Sequence, residues 1–467
     1  MNKEYIKIIN QLSSLKKNIK DPYIYCNNYL NINEEHSHEY ENINKFPISK
    51  TIAIIFFLKT FFLSVTKYIL IILINFKLKN VFFHKKNKIL IISHNINNKL
   101  KYDFYFHNLV KFLDKKKIGY NVYKINHTKN KNITSPYLDT FTELKIFCKL
   151  VYSFFKLINL FLKSKLLIPK NVYLNVLSNH ISNTTARNIR ISYNIRNILK
   201  TNPNSLVFFT FEGYAWERAV IALNKLNNQS NTFIGVQHAY INNSNLNIFD
   251  FKNYKFNPDI ILASGNTTHK KFLQYKNIKT YNFGSLKSNH HFINFCKKNL
   301  KNNTFLILPN ANRKEVDDLL IILNLLATKY NNYKFIWRSH PSFLDTNFSN
   351  HKIFKKKYVT YSYNSFEHDL TRSNHAIYKT SSAVITSTKY GLRPIHISFD
   401  MSEDPLTKIN NSWKFNLSNI GDIDKLDYYL NKKVSLNEKK YVINYCSSYF
   451  DNFNENKFKI FLDEYIY

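Results

Sequence analysis

Residues 333–397 read YKFIWRSHPSFLDTNFSNHKIFKKKYVTYSYNSFEHDLTRSNHAIYKTSSAVITSTKYGLRPIHI. Lys334-Phe335-Ile336-Trp337-Arg338 has the apolar run of a strand, and Ser339-His340-Pro341 breaks it. Glu367, Asp369 and Leu370 follow, then a second strand at His375-Ala376-Ile377-Tyr378. Thr380-Ser381-Ser382 opens a short helical pattern that runs to Tyr390-Gly391, and Arg393-Pro394-Ile395-His396-Ile397 is the next strand. Strand, polar break, strand, serine pair, helix, glycine, strand is the grammar of an α/β protein.

The same stretch places groups suited to a phosphate. His340 falls at the carboxyl end of a strand, where open α/β sheets bind ligands. Pro341 fixes the backbone behind it. Ser381 and Ser382 fall at a helix start, where free N–H groups and the dipole favour an anion, although an ordinary N-cap reads the same way. The order His340-Pro341 followed by Ser381-Ser382 resembles the His-Pro and Ser/Thr motifs of bacterial sialyltransferases, which share the GT-B fold with the Kdo transferases of capsule and lipopolysaccharide synthesis. The third motif of that group is an acidic pair with Gly. Thr210-Phe211-Glu212-Gly213 stands in the matching place with the second acid only. Phe211 to Glu217, with Gly235-Val236-Gln237-His238, is similar to a group of bacterial surface-carbohydrate biosynthesis proteins. The resemblance covers about two fifths of the chain, from Leu206 to Ile397.

Length and composition set the frame. The 467 residues allow two or three domains, and 44% hydrophobic content excludes a disordered chain. The net charge of +36 invites a nucleic-acid reading, but the basic residues are spread along the chain without a zinc-finger or basic-zipper pattern, so no nucleic-acid partner is expected. A basic surface suits anionic lipid and an anionic sugar nucleotide. Cys26, Cys148, Cys296 and Cys446 are far apart, which indicates neither a metal site nor a redox pair and fits a reduced, cytoplasmic setting.

Residues 1–86 are read as an N-terminal helical segment. Its core is Ile52 to Phe76, long enough for a span but interrupted by Lys59 and Lys67 and followed by Lys77, Lys79, Lys85 and Lys86. A polar stripe at Thr60, Ser64 and Lys67 favours a helix lying in the membrane interface on the inner face of the cell membrane, a buried helix and a true span being the alternatives. This segment is expected to be removable without unfolding the rest.

Residues 87–290 carry alternating strands and helices: strands at 88–94, 120–125, 205–210, 232–236, 258–263 and 279–283, with Gly119 a helix C-cap and Asn183 to Leu199 a basic helix. They make a first Rossmann-like domain, the acceptor side by the resemblance. It has no Gly-x-Gly-x-x-Gly, so no dinucleotide cofactor is expected. Gly213, Gly235, Gly265, Gly284 and Gly391, five of the 7 glycines, lie at strand or helix ends, where a ligand or a tight turn needs them. Asn289 to Asn303 is the linker. Residues 300–450 form a second Rossmann-like domain for the nucleotide sugar, with strands giving way to helices after Ile397. Residues 451–467 form a helix expected to return to the first domain. Asp422-Ile423-Asp424 matches the Asp-x-Asp of metal-dependent transferases, but with no strand before it we read it as a helix cap, and no metal is expected.

Glu212 ends a strand beside Gly213 and is the leading general base for an acceptor hydroxyl. His238, after Gln237 at the next strand end, is the rival base and resembles that of teichoic-acid glycerophosphotransferases. His340 completes the catalytic set. Ser381, Ser382, Arg338, Gly213, Gln237 and Lys287 are the expected substrate contacts. The resemblance implies a glycosyltransferase that moves Kdo or a nonulosonic acid from a CMP donor to a surface polysaccharide or lipopolysaccharide acceptor. The alternatives are polyol-phosphate transfer from CDP-glycerol, with His238 as base, and a non-catalytic polysaccharide- or lipid-binding assembly protein.

Overall fold

The structure, a computed structural model, describes residues 11–12, 19, 21–27, 87–95, 103–126, 138–163, 170–225, 230–241, 248, 256–275, 278–287, 304–310, 312–341, 348–399, 404–409 and 412–466, with six single positions between 59 and 69. In chain order the first domain contains β1 (Ile89–Asn95), α1 (His107–Lys116), β2 (Tyr120–Asn126), α2 (Thr140–Lys163), α3 (Lys170–His180), α4 (Asn183–Thr201), β3 (Leu206–Thr210), α5 (Ala215–Lys225), β4 (Thr232–Val236), β5 (Ile260–Ala263), α6 (Asn266–Leu273) and β6 (Lys279–Asn282). The second contains β7 (Thr304–Leu308), α7 (Arg313–Lys329), β8 (Lys334–Trp337), β9 (Val359–Tyr361), α8 (Phe366–Thr371), β10 (His375–Tyr378), α9 (Ala383–Lys389), β11 (Arg393–Ile397), β12 (Phe415–Leu417), α10 (Leu426–Asn431) and α11 (Leu436–Ser447). The last helix, α12, spans Glu455–Ile466.

Each domain is one six-stranded sheet, ordered β2-β1-β3-β4-β5-β6 and β12-β11-β10-β7-β8-β9. Every pairing is parallel. Two doubly wound parallel sheets in one chain are the GT-B architecture. The strand order reverses between β1 and β3 in one sheet and between β7 and β10 in the other, and such switch points open a crevice at the carboxyl ends. Helices cover both faces, so the strands are apolar throughout: Leu90, Ile92, Val207 and Phe209 enter one core, Ile89, Ile91, Leu206 and Phe208 the other.

The two domains are stitched by the segment after α11. Ser448 accepts from the Thr267 amide (2.8 Å), the Asp451 amide donates to Ser264 (2.9 Å), the Ser285 amide donates to Asp451 (2.9 Å) and the Asn454 amide donates to Phe283 (2.8 Å). The chain thus runs across the carboxyl ends of β5 and β6 before α12 packs Phe458, Phe461 and Leu462 among Ile89, Phe106 and Phe208 of the first domain. Each such side chain stabilises by about 1.5–3 kcal/mol when fully buried.

Several expectations change. Gly265 and Gly284 are small because a Cβ there would lie 2.6 Å from the carbonyl oxygen of Ser448 and 2.1 Å from that of Asn452, so the close neighbour is this chain and not a ligand. The left-handed C-cap of α1 is Lys117, φ 55°, and not Gly119. The strand β12 follows Ile397, where only helices were expected. Asp422 closes a capping box with Asn419. The basic helix expected over Asn183 to Leu199 is α4, and within it Arg190 is buried, its Nε donating to the Glu143 carboxylate at 2.9 and 3.0 Å. Leu12, Ile19, Ile24 and Tyr25 are buried in the first domain's core, and Cys26 in a second cluster with α2 and α4, so these described positions of the N-terminal segment pack as part of the first domain. The interfacial reading of Ile52 to Phe76 and the linker Asn289 to Asn303 lie outside the described residues, save six positions of the former. Among the described residues no helix is long and apolar enough to cross a membrane.

Gly284 tests the stitch. It has φ 80°, so Gly284→Ala adds backbone strain of about 1–3 kcal/mol to the clash with Asn452. The expected outcome is a lower thermal midpoint with the loss of cooperative unfolding of the two domains. An unchanged melting profile would show that the crossover does not hold them together.

Candidate functional site

The carboxyl end of β3 carries Phe211 and then the turn Glu212-Gly213-Tyr214, with Gly213 at φ 81°. Glu217, in the first turn of α5, is fully buried. Its carboxylate accepts from the amides of Glu212 (3.0 Å), Gly213 (2.8 Å) and Tyr214 (2.9 Å). Burial and neighbouring Glu212 push the Glu217 carboxyl up, and the amide donors pull against that shift. Glu217 therefore holds the loop and Glu212 is left to face outward. Gly213 shapes that turn, and its amide goes to Glu217 rather than to a ligand.

The adjacent strand β4 delivers His238, whose Nε2 lies 3.3 Å from Glu212 Oε1. Burial raises the Glu212 carboxyl above its usual range and lowers His238 to about 3, so the imidazole is neutral near pH 7. Tyr105, from the loop before α1, meets the His238 ring edge-on at 4.5 Å. Asp103 fixes that loop by accepting from the amides of Tyr105 (2.9 Å) and Phe106 (3.0 Å). His94 at the end of β1 lies 3.1 Å from Thr210 Oγ1 and edge-on to Tyr105 and Trp216. Gln237 is buried and receives a hydrogen bond from the Ser264 hydroxyl at 2.9 Å, which makes it a tie between strand ends.

Lys287 lies on the loop after β6. Asn108 of α1 holds that loop by donating its side-chain amide to the carbonyls of Ser285 (2.9 Å) and Lys287 (2.7 Å). The ammonium sits 4.3 Å from the Phe104 ring centroid. Burial lowers Lys287 to about 8, while Glu212 works in the opposite direction. Its charge lowers the Glu212 carboxyl and the His238 imidazole in the first domain and the His340 imidazole in the second, in each case against or after the larger effect of burial.

In the second domain, β8 ends at Trp337, whose indole N–H donates to Ser339 (3.1 Å) just before His340. Burial, then Lys287, lowers His340 to about 4, again a neutral ring. Arg338 is tied to Asp369 (2.8 Å) and the Asn364 carbonyl (2.7 Å), which braces the loop after β8. At the switch point beside β10, Glu315 of α7 accepts from the Asn310 amide (3.0 Å) and the Thr380 hydroxyl (2.5 Å). The carboxylate thus pins Thr380, and Ser381 and Ser382 follow. Ser382 is the N-cap of α9 but makes no side-chain capping bond, so the capping role expected of Ser381 belongs to neither hydroxyl.

The structure brings Glu212 and His238 into contact, and Lys287 and His340 stand on loops that follow strand ends of the first and second sheet. Ser381 and Ser382 occupy the second domain's switch point. Gly213, Gln237 and Arg338 serve the scaffold. Sequence reasoning missed His94, Tyr105 and Trp216. His94 ends a buried strand, as His238 does, and that shared position was a usable signal. Tyr105 sits in a loop with no pattern around it.

No family model matches this sequence, and no curated protein matches it. Solved structures match in fold only. The GtfA/B complex aligns at 12% identity and TM-score 0.39, over 60% of this chain, and the chain spans 60% of that protein's length. UDP-GlcNAc 2-epimerase from Neisseria meningitidis, bound to UDP-GlcNAc, aligns at 12% identity and TM-score 0.46, over 81% of this chain and 99% of that one. The glycotransferase of kitacinnamycin aligns at 7% identity and TM-score 0.46, over 82% and 100%.

Proposed function

We propose that this chain is a glycosyltransferase. The observation that carries the reading is the Glu212–His238 contact at 3.3 Å at adjacent strand ends. An acid–imidazole pair, a cation and a second imidazole at carboxyl strand ends are the parts that transfer from a phosphate-linked sugar requires. The acceptor oxygen bonds to the anomeric carbon as the bond from that carbon to the donor phosphate oxygen breaks. The electron pair leaves on the phosphate, and the acceptor proton passes to Glu212, with His238 as its partner. Lys287 and His340 stabilise the departing phosphate, and the hydroxyls of Ser381 and Ser382 take its remaining oxygens. The donor class is a CMP-linked Kdo or nonulosonic acid, on the strength of the His340-Pro341 and Ser381-Ser382 order, and the acceptor is a surface glycan.

A second reading is kept by the same contact. If Glu212 orients His238 and the imidazole takes the proton, the arrangement suits polyol-phosphate transfer from CDP-glycerol. Glu212→Gln is expected to lower kcat by about 10²–10⁴ while donor affinity stays near wild type, with a smaller loss in His238→Asn. The reverse order, measured by steady-state transfer, would replace the first reading with the second. Because the pair is in contact, the double variant should lose less than the sum of the single losses.

Nucleotide binding tests the donor side. Among CMP, CDP, UDP and GDP, calorimetry is expected to find CMP tightest. His340→Ala should weaken CMP by about tenfold or more, the scale of one hydrogen bond to a charged group. No binding of any of the four would remove the donor-site assignment.

Lys287 makes a pH prediction. Its cation is lost as pH rises through about 8, so CMP affinity should fall above that value. Lys287→Met should bind more weakly at pH 7 and show a flat profile from neutral to alkaline pH. A falling profile that survives in the variant would assign the titration to another group.

A further inference from the structure

The outer surface of α2 is apolar where a soluble helix is normally polar. Phe141 is 76% exposed, Phe155 62% and Leu162 77%, and Leu144 and Tyr152 are exposed with them. At about 100° per residue these five side chains and Cys148 share an arc of about 80°. Lys145, Lys149, Lys156 and Lys163 fall along one edge of that arc, within about 40° of one another. The only acid of the helix, Glu143, is buried on Arg190. Two acids lie near: Asp139 caps the first turn through Thr142, and Asp21 holds Lys156 at 3.3 Å.

The helix is firmly seated. The buried Glu143–Arg190 pair fastens one end, and Ser153 lies 2.7 Å from His180 Nε2 in the middle. Its inner face buries Ile146, Leu150, Phe154, Leu157 and Phe161. The exposed arc is therefore a fixed stripe about 30 Å long, from Phe141 to Leu162.

We propose that this face of α2 docks on the surface of an anionic phospholipid bilayer, the aromatic and aliphatic arc entering the headgroup boundary and the lysine edge meeting lipid phosphates. Charge selects this occupant. A second copy of the chain would bring four more lysines and no exposed acid on this helix. The helix cannot span, since its lysines and Glu143 interrupt it. The proposal stands independently of the glycosyl-transfer reading.

The test uses the full chain and vesicles of phosphatidylcholine alone or of equimolar phosphatidylcholine and phosphatidylglycerol. Wild type should co-sediment with the anionic vesicles, less with the neutral ones, and more weakly at high salt, because screening shortens the reach of the lysines to a few ångströms near 1 M. The triple variant Phe141→Glu, Phe155→Glu, Leu162→Glu should lose at least about tenfold in anionic-vesicle affinity. Tyr428→Glu, an equally exposed site on the second domain, should lose nothing. A second measurement leaves the face intact. With Cys296→Ser, a polarity-sensitive fluorophore on exposed Cys148 should shift to the blue with anionic vesicles and not with neutral ones. No vesicle binding by wild type, an unshifted probe, full binding by a folded triple variant, or a dimer that the triple variant dissolves would each overturn the proposal.

Discussion

Everything at the candidate site depends on the backbone stitch between residues 448–454 and the strand ends of β5 and β6. Amide and carbonyl groups of Ser448, Asp451 and Asn454 pair with those of Ser264, Thr267, Phe283 and Ser285. Asp451 adds its carboxylate to the Asn266 amide (3.1 Å) and to Asn282 (2.9 Å). These bonds satisfy main-chain groups that would otherwise be buried unpaired, at about 1–3 kcal/mol each. They also fasten the segment after α11 to the carboxyl ends of β5 and β6, beside Gln237 and the loop of Lys287.

The two domains solve the same local problem in the same way. Each turns sharply from a central strand, β3 in one and β7 in the other, into a helix. In both, a buried glutamate in the helix's first turn collects the loop: Glu217 takes three successive amides, and Glu315 takes the Asn310 amide and Thr380. A carboxylate used in this way is a scaffold. Glu212 and Glu217, five residues apart and both acidic, are thereby set apart: one carboxylate gathers the loop's amides and the other lies against His238.

What the sequence disclosed follows from burial. Runs such as Ile89 to Ile92, Leu206 to Phe209 and Thr304 to Leu308 are apolar on both faces because helices cover both, and they read as parallel strands without ambiguity. The edge strands β9 and β12 are three residues each and half exposed, so no pattern marks them. Glu212, His238 and His340 were legible as strand-end residues, but their meeting depends on β3 lying beside β4 and on the crossover, neither of which is local. Small residues at Gly265 and Gly284 announced a close approach correctly, yet composition cannot distinguish a ligand from the chain's own C-terminal segment. The pairing of Arg190 in the basic helix was not legible because its partner, Glu143, lies 47 residues earlier.

The loop that carries Lys287 is also the loop that the crossover grips. Ser285 gives its amide to Asp451, and Lys287, its ammonium beside the Phe104 ring, follows two residues later. The seat of this buried cation and the seam between the lobes therefore share one short piece of backbone.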